Sequence, residues 1–378
     1  MKHLLDVDEL SWAETERILG RAAIQRRTLA AAPAGQPAEP VAVGPATAWA
    51  AAAMAPLAGR RVGLLFAEPS TRTRLSFEIA ARQLGAETFV IDPGHSSLVK
   101  GETLADTVRT LGALGLHALV MRHHRAGAPW VAARYFNGAV VNAGDGWHAH
   151  PTQALLDLFT LRRALAARDG LADGTADGSG RLAGRKVAIV GDLLHSRVAR
   201  SNAWTLVADG AELRVCGPRP WLRGWDELAA ELAVKLPSGR LIVTDDLSAA
   251  IGGADAVMAL RVQKERMRGG LSLAEYVARY QVTDERLSAA RPGCLFMHPG
   301  PVNEGIEVTH ALAVGPRSLV LEQVASGVPV RMAVLEALLG GDEPTGRSIG
   351  TERAAEGLAP GSAPVVDQST RDLSSVSR

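Results

Sequence analysis

The stretch RVGLLFAEPSTRTRLSFE, from Arg61 to Glu78, decides the fold. It begins with the short apolar run RVGLLFA, which predicts a buried strand. Pro69 forces a turn, and helical spacing then continues from Thr71 to Leu84, with Gly85 as the stop signal. A buried strand, a tight turn and a helix in this order are the first half of a βαβ unit, so the stretch predicts a parallel sheet.

The same alternation continues along most of the chain. In the first half, further strands are predicted at Thr88–Ile91, Ala118–Met121 and Ala139–Asn142, and helices at Leu104–Leu114 and Pro129–Tyr135. After a long helical pattern from Pro151 to Ala167, strands are predicted at Lys186–Val190, Leu213–Cys216, Leu241–Thr244, Ala256–Leu260 and Cys294–Met297. The helices predicted there are Arg197–Ala208, Trp225–Leu232, Leu247–Ile251 and Val320–Leu339. Short apolar strands that alternate with helices are typical of α/β proteins with parallel sheets.

The chain has 378 residues, which predicts two domains of about 150 residues each. We expect residues 1–150, with the closing helix 320–340, to form one domain and residues 151–319 the other. Each would be a parallel sheet flanked by helices, and long helices would join them. Ser11 and Glu14 predict the capped start of a first helix that continues to about Thr28. Residues 30–58, rich in Ala, Pro and Gly, are interpreted as a linker or a surface insertion, and residues 341–378 as a disordered tail.

Composition excludes several classes of function. Lys and Arg number 41 against 40 Asp and Glu, so the net charge of +1 gives no reason to expect nucleic acid or an anionic membrane as partner. Cys216 and Cys294 are the only cysteines, too few for a disulfide framework, which favours a cytoplasmic protein. The N-terminus lacks the apolar region of a secretory signal. The apolar stretch from Ala46 to Ala58 is too short to span a membrane.

The turn after the first strand carries the strongest chemical signal. A helix N-terminus offers unpaired N–H groups and a positive dipole end, which bind phosphate. Three hydroxyl groups and two guanidinium groups crowd this turn, from Ser70, Thr71, Arg72, Thr73 and Arg74. Guanidinium groups bind phosphate through paired, charge-assisted hydrogen bonds. The turn therefore predicts a phosphate site.

Together with this turn, blocks of sequence further along the chain resemble the aspartate/ornithine carbamoyltransferase family, and its aspartate branch in particular. In order, the blocks are STRTR at 70–74, KGE at 100–102, MRH at 121–123, NAGDG at 142–146, HPTQ at 150–153, GDLLHSR at 191–197, RVQKER at 261–266 and HPGP at 298–301. The resemblance covers residues 1–29 and 59–340. It implies transfer of a carbamoyl group from carbamoyl phosphate to the amine of L-aspartate, in pyrimidine biosynthesis, without metal or cofactor.

The resemblance also implies roles for individual residues. The catalytic set would be Arg72, Thr73, Lys100, Arg122 and His150. Carbamoyl phosphate would be bound by Ser70, Thr71, Arg72, Thr73, Arg122, His150, Gln153, Gly300 and Pro301. Aspartate would be bound by Lys100, Arg197, Arg261 and Gln263. In the family the loop that carries Lys100 enters the active site of a neighbouring subunit, which implies a homotrimer with shared sites. His195 would stand behind the site, and His148 would have no role.

Two alternatives stay open. The first is an ornithine-type or other amino-acid carbamoyltransferase, but the usual HCLP block is replaced here by His298-Pro299-Gly300-Pro301, and no Ser-Met-Gly sequence occurs. The second is a weakly active scaffold homologue that binds a pathway partner such as dihydroorotase; regulatory chains are a further possible partner. Two departures from the family bear on aspartate affinity: the segment 267–272 is shortened, and Glu304 stands where relatives often carry a basic residue.

Overall fold

Two parallel sheets form the core of the chain, as the computed structural model describes it for residues 1–31, 55–92, 94, 101–171, 181–262 and 272–340. The first sheet has the strand order β2-β1-β3-β4 and comprises β1 (Arg61–Phe66), β2 (Glu87–Ile91), β3 (Ala118–His123) and β4 (Ala139–Asp145). The second has the order β7-β6-β5-β8-β9 and comprises β5 (Lys186–Val190), β6 (Glu212–Cys216), β7 (Arg240–Thr244), β8 (Ala256–Ala259) and β9 (Leu295–Met297). All strand pairs are parallel, so the α/β fold class predicted from the sequence is confirmed.

Helices connect the strands and cover both sheets. Those of the first half are α1 (Trp12–Ala31), α2 (Thr71–Gln83), α3 (Leu104–Ala113), α4 (Ala128–Tyr135) and α5 (Pro151–Arg168). The remaining helices are α6 (Arg197–Ala208), α7 (Trp225–Lys235), α8 (Leu247–Ile251), α9 (Leu273–Tyr280), α10 (His310–Val314) and α11 (Val320–Leu339). Two short 3₁₀ helices lie at Arg219–Leu222 and Arg286–Ala289. Of the helices in the described part of the chain, none combines the length and apolar character needed to cross a membrane.

The long helices α5 and α11 tie the two halves together. Helix α5 is buried along most of its length, and it packs against β4 of the first half and α6 of the second. Helix α11 returns from the second half and packs against α1, α2 and α5. One charged side chain of α5, Arg162, is fully buried and forms ion pairs with Asp209 and with Glu16. A buried cation with two carboxylate partners fixes the relative positions of α5 and α1.

The structure departs from the predicted elements in a few places. Strands β3 and β4 continue past the apolar runs to His123 and Asp145, because the pairing with the neighbouring strand goes on where the sequence turns polar. Helix α9 was not predicted, although Ser272 and Glu275 form a capping box at its start. The proposed linker begins later than predicted, since α1 reaches Ala31, and Leu57 near its other end is fully buried.

Several predicted features lie outside the described residues. These are most of the linker (32–54), the loop that carries Lys100, part of the glycine-rich loop (172–180), Gln263, most of the shortened segment 267–272, and the tail 341–378.

Candidate active site

A cavity of about 640 Å³ opens at the carboxyl ends of β1 and β3 of the first sheet and of β5 and β8 of the second. Ligands of open α/β sheets bind at this edge, where the loops after the strands converge. Eleven of the thirteen predicted site residues line it: Ser70, Thr71, Arg72, Thr73, Arg122, His150, Gln153, Arg197, Arg261, Gly300 and Pro301. The other two, Lys100 and Gln263, lie outside the described residues.

The phosphate turn lies between β1 and α2. Ser70 is the N-cap of α2 and has extended backbone angles, but its hydroxyl does not cap the helix. The first N–H groups of α2 therefore stay available to an anion in the cavity. The guanidinium of Arg72 extends across the cavity to Gly300, where an added Cβ would lie 2.7 Å from it. Gly300 also has a φ of +67°, so both space and backbone conformation favour glycine there.

Arg122 is the cation at the end of β3. Its Nη2 donates to Oε1 of Glu68 at 2.5 Å, and its side chain is largely buried. Burial, followed by the positive charge of Arg197, lowers the pKa of Arg122 to about 10. The guanidinium is therefore still charged at neutral pH, but it carries an energetic cost that a bound anion would offset.

Glu68 was missed by the sequence analysis and is the acidic centre of the cavity. Its carboxylate also accepts from Arg197, with Nη2 to Oε1 at 2.5 Å and Nη1 to Oε2 at 3.0 Å. Burial raises the pKa of Glu68, but the bonds to Arg197 and Arg122 and their charges outweigh it, so the net shift is downward. An ionised Glu68 thus links a cation of the first sheet to a cation of the second. Its position directly after a buried strand was the available signal.

His150 lies at the N-cap of α5 and is almost completely buried. Burial, and then the charges of Arg122, Arg197 and Arg331, hold its pKa well below 6.5. Its backbone N–H donates to Ser201 Oγ at 2.9 Å, which fixes the residue against α6. The imidazole is neutral at physiological pH and offers one N–H donor without adding charge.

Two arginines of the second half face the first across the cavity. Arg197 begins α6 and donates to the carbonyl oxygen of Gly146 at 2.8 Å as well as to Glu68. A Cβ at Gly144 would lie 3.0 Å from Arg197 Nε, so a glycine is needed for the guanidinium to pass. Arg261 lies two residues after the end of β8 and lines the cavity.

Helix α11 supplies side chains that the sequence analysis did not assign to the site. Gln323 and Arg331 line the cavity from this helix, and the guanidinium of Arg331 stacks over the ring of Phe77 at 5.0 Å. Burial lowers the pKa of Arg331 to about 9. The available signal for Arg331 was a lone charge within the otherwise apolar stretch from Val328 to Leu335.

The remaining candidate residues differ in their relation to the cavity. His195 lines it and contacts Asp192, with Nδ1 to Oδ1 at 2.9 Å, so it lies closer to the site than predicted. His148 lies outside the lining and contacts Asp145 at 3.4 Å. Glu304 is exposed and pairs with His310 at 2.7 Å, away from the cavity lining.

We expect the pKa of His150 to lie well below 6.5, whereas that of its neighbour His148 lies above 6.5. The hydrogen bond to Asp145 raises the pKa of His148, and burial among cations lowers that of His150. Imidazole NMR signals, assigned with His148→Gln and His150→Gln, measure both. A His150 midpoint near 6.5 would contradict the cationic surroundings described here.

We expect Glu68→Gln to tighten the binding of inorganic phosphate by roughly threefold to tenfold, because the carboxylate competes for Arg122 and Arg197. Calorimetry at low ionic strength measures the affinity, and added salt is expected to reduce the difference. Glu78→Gln is the matched control, since Glu78 pairs with Arg82 at 2.8 Å and does not line the cavity. Equal or weaker phosphate binding by Glu68→Gln would show that Glu68 does not compete with the anion.

Comparisons with known proteins agree with this geometry. The family model described as "Aspartate/ornithine carbamoyltransferase, carbamoyl-P binding domain" matches residues 2–163, and the one described as "Aspartate/ornithine carbamoyltransferase, Asp/Orn binding domain" matches residues 183–338. The chain is 44% identical over 348 residues to the aspartate carbamoyltransferase catalytic subunit of Roseiflexus sp. strain RS-1, which covers 90% of this chain and 95% of the relative.

Solved structures of both branches of the family are similar to the chain. Aspartate transcarbamoylase from Trypanosoma cruzi, in complex with aspartate and phosphate, has a TM-score of 0.70 and 28% identity, covering 89% of this chain and 95% of its own. Ornithine carbamoyltransferase from Thermus thermophilus has a TM-score of 0.70 and 27% identity, covering 90% and 99%. The two matched family models and the relative that is 44% identical lead to one conclusion: the chain belongs to the aspartate/ornithine carbamoyltransferase family.

Proposed function

We propose that the chain is an aspartate carbamoyltransferase that makes N-carbamoyl-L-aspartate and phosphate from carbamoyl phosphate and L-aspartate. The observation that carries the proposal is a single cavity with a phosphate turn on one side and two arginines on the other. Arg72 lies at the start of the helix that follows the phosphate turn, and Arg197 and Arg261 line the cavity from the second half of the chain. This distribution of charge fits two ligands bound side by side in the cavity, an anionic phosphate compound and a dicarboxylate.

Carbamoyl phosphate would bind with its phosphate on the N-terminus of α2. Arg72 supplies charge, and Ser70, Thr71 and Thr73 supply hydroxyl or N–H donors. Arg122 would contact both the phosphate and the carbonyl oxygen. His150, held neutral, would donate its N–H to the same oxygen.

In the reaction the lone pair of the aspartate amine forms a bond to the carbonyl carbon. The bond from that carbon to the bridging oxygen breaks, and phosphate leaves with the electron pair. The amine loses a proton, which the departing phosphate accepts. Orientation and charge stabilisation supply the acceleration, so the chain's part is to hold both reactants and polarise the carbonyl.

Aspartate would bind through its two carboxylates. We assign its α-carboxylate to Arg197 and its β-carboxylate to Arg261, with Lys100 and Gln263 as further contacts. Arg197 would then exchange its bond to Glu68 for a bond to substrate. The corresponding domain assignment is that residues 1–150 with the helix 320–340 form the carbamoyl-phosphate-binding domain and residues 151–319 the aspartate-binding domain, with Gln153, Gly300 and Pro301 of the second part also contacting carbamoyl phosphate.

Ornithine is the less favoured acceptor. Its side chain ends in a cationic amine, which Arg197 and Arg261 would repel in a cavity already rich in guanidinium groups. The fold itself does not discriminate between the two acceptors, since it is common to both branches of the family.

We also propose the assembly and location that the family resemblance implies. The enzyme would be a cytoplasmic homotrimer in which Lys100 of one subunit completes the site of its neighbour. Regulatory chains or dihydroorotase are candidate partners of that trimer.

We expect the purified protein to form N-carbamoyl-L-aspartate from carbamoyl phosphate and L-aspartate with no added metal or nucleotide. Assays with L-aspartate and L-ornithine side by side measure the preference, and faster turnover of ornithine would overturn the assignment.

Arg72→Gln is expected to lower kcat/KM by about 100-fold or more, because it removes a group that stabilises the anionic transition state. Arg74→Gln is the matched control, because Arg74 lies two residues further on and outside the cavity lining.

Two inactive variants can test whether the site is shared between subunits. Lys100→Ala and Arg72→Ala should each be nearly inactive, but mixed trimers of the two contain some sites that draw both wild-type residues from different chains. Mixing the variants under conditions of subunit exchange should therefore restore part of the activity. Sedimentation of each variant checks that it still assembles. Mixed trimers that form but stay inactive would remove the main support for a site completed by Lys100 of a neighbour.

A further inference from the structure

The buried carboxylate of Asp157 lies beneath the cavity where three helices meet. It belongs to α5, its side chain is 1% exposed, and it accepts three hydrogen bonds. Its donors are Gln153 Nε2 of α5 at 2.9 Å, Asn202 Nδ2 of α6 at 2.9 Å and Gln323 Nε2 of α11 at 2.7 Å. The charged group that faces it is Arg331 of α11, whose Nε has no hydrogen-bond partner among the described residues.

The carboxylate determines which way each amide points. An ionised carboxylate only accepts hydrogen bonds, so all three amides must present their NH₂ groups to it. Their oxygens are therefore directed elsewhere. Gln153 lines the cavity, and with its nitrogen held by Asp157 its oxygen is the end left to the cavity as an acceptor.

A second branch of the network leads to the opposite wall. Oε1 of Gln323 accepts from the backbone N–H of His298 at 2.9 Å, and His298 Nδ1 accepts from the N–H of Gly300 at 2.8 Å. Gly300 and Pro301 line the cavity. The orientation of Gln323 is thus passed on to the turn that presents the backbone of these two residues.

We propose that Asp157 is a positioning residue that gives the cavity its preference for an NH₂ group on the substrate carbonyl. It acts directly by turning the oxygen of Gln153 into the cavity, and through Gln323 and His298 by holding the turn at Gly300. The inference rests on the proposed function, because the NH₂ group in question is that of carbamoyl phosphate. A methyl group of the same size would leave these acceptors without a donor, and a site built to bond a donor rejects the analogue that lacks it.

The substitution Asp157→Asn tests this role with almost no change in shape. Asparagine both donates and accepts, so Gln153 becomes able to reverse its amide and present NH₂ to the substrate's NH₂. The expected result is a loss of ligand preference and not a general loss of binding. The charge lost with Asp157 acts on every phosphate-type anion in the cavity, so the quantity expected to change is the ratio of the affinities for an amide and a methyl ligand, with inorganic phosphate as the reference for the effect of charge.

The probes are two stable phosphonates that differ only at the group in question, phosphonoacetamide with NH₂ and acetonylphosphonate with CH₃. Calorimetry measures both, with inorganic phosphate as the reference ligand. The wild-type protein should favour the amide by about tenfold, the worth of one good hydrogen bond, and Asp157→Asn should lose most of that preference. Thr160→Val is the matched control, since Thr160 is a buried α5 side chain bonded to Leu156 O, outside the cavity lining.

A double-mutant cycle with Gln153→Met separates positioning from general destabilisation. If Asp157 acts through Gln153, adding Asp157→Asn to Gln153→Met should lower the amide preference little further. Any further loss would be the part that Asp157 contributes through Gly300. Should Asp157→Asn fail to fold, Gln323→Met tests the second branch from α11 and should lower the preference by a smaller factor. An unchanged preference in the folded variants, or an equal loss for all three ligands, would overturn the inference.

Failure of this inference is distinguishable from failure of the proposed function. Wild-type protein that binds both phosphonates but does not carbamoylate aspartate would count against the function. Wild-type protein that carbamoylates aspartate, with a preference that Asp157→Asn does not alter, would count against the role of Asp157 alone.

Discussion

The constraint on which the site depends is the mutual repulsion of the guanidinium groups around one cavity. Arg72, Arg122, Arg197, Arg261 and Arg331 all line it, and burial lowers the pKa of Arg122 to about 10 and that of Arg331 to about 9. Like charges this close destabilise the folded chain unless anions balance them. Two carboxylates of the chain do so in part: Glu68 at the level of the substrates and Asp157 beneath them. A bound anion adds to this balance, so such a cavity favours anionic ligands.

The helices that carry these groups have to be rigid for that balance to hold. Two carboxylates have partners on different elements: Glu68 links β3 to α6, and Asp157 links α5, α6 and α11. The buried ion pairs of Arg162 with Asp209 and Glu16 add a third connection, between α5 and α1. Removing one partner from any of these would leave an uncompensated charge in a poorly solvated place. The packing of α11 against α1, α2 and α5 keeps the partners in register across the two sheets.

Much of this arrangement could be predicted from local sequence, because strand ends in a parallel sheet fall at one edge. Arg122 follows an apolar run, Arg72 follows a strand and a turn, and Arg261 follows another apolar run, so all three were expected at the carboxyl edge. Gln323 and Arg331 could not be assigned in this way, because their approach to the cavity depends on how a helix more than 150 residues from α5 packs against it. Glu68 was overlooked for a related reason: its position was predictable, but its pairing with Arg197 exists only once the two sheets face each other.

Charge and the direction of hydrogen-bond acceptors contribute differently to ligand recognition in this cavity. The guanidinium groups attract any small anion, and their interaction changes little with the identity of the group attached to the phosphate. The distinction between an amide and a methyl group needs acceptors with fixed orientation, and an amide side chain has no fixed orientation of its own, since its oxygen and nitrogen ends are nearly the same size. A buried, acceptor-only carboxylate removes that ambiguity for three amides at once. Burial raises the pKa of Asp157 to about 6, so it stays mostly ionised at neutral pH and becomes a donor only in acid. The same carboxylate thus balances charge beneath the cavity and determines which neutral group the cavity accepts.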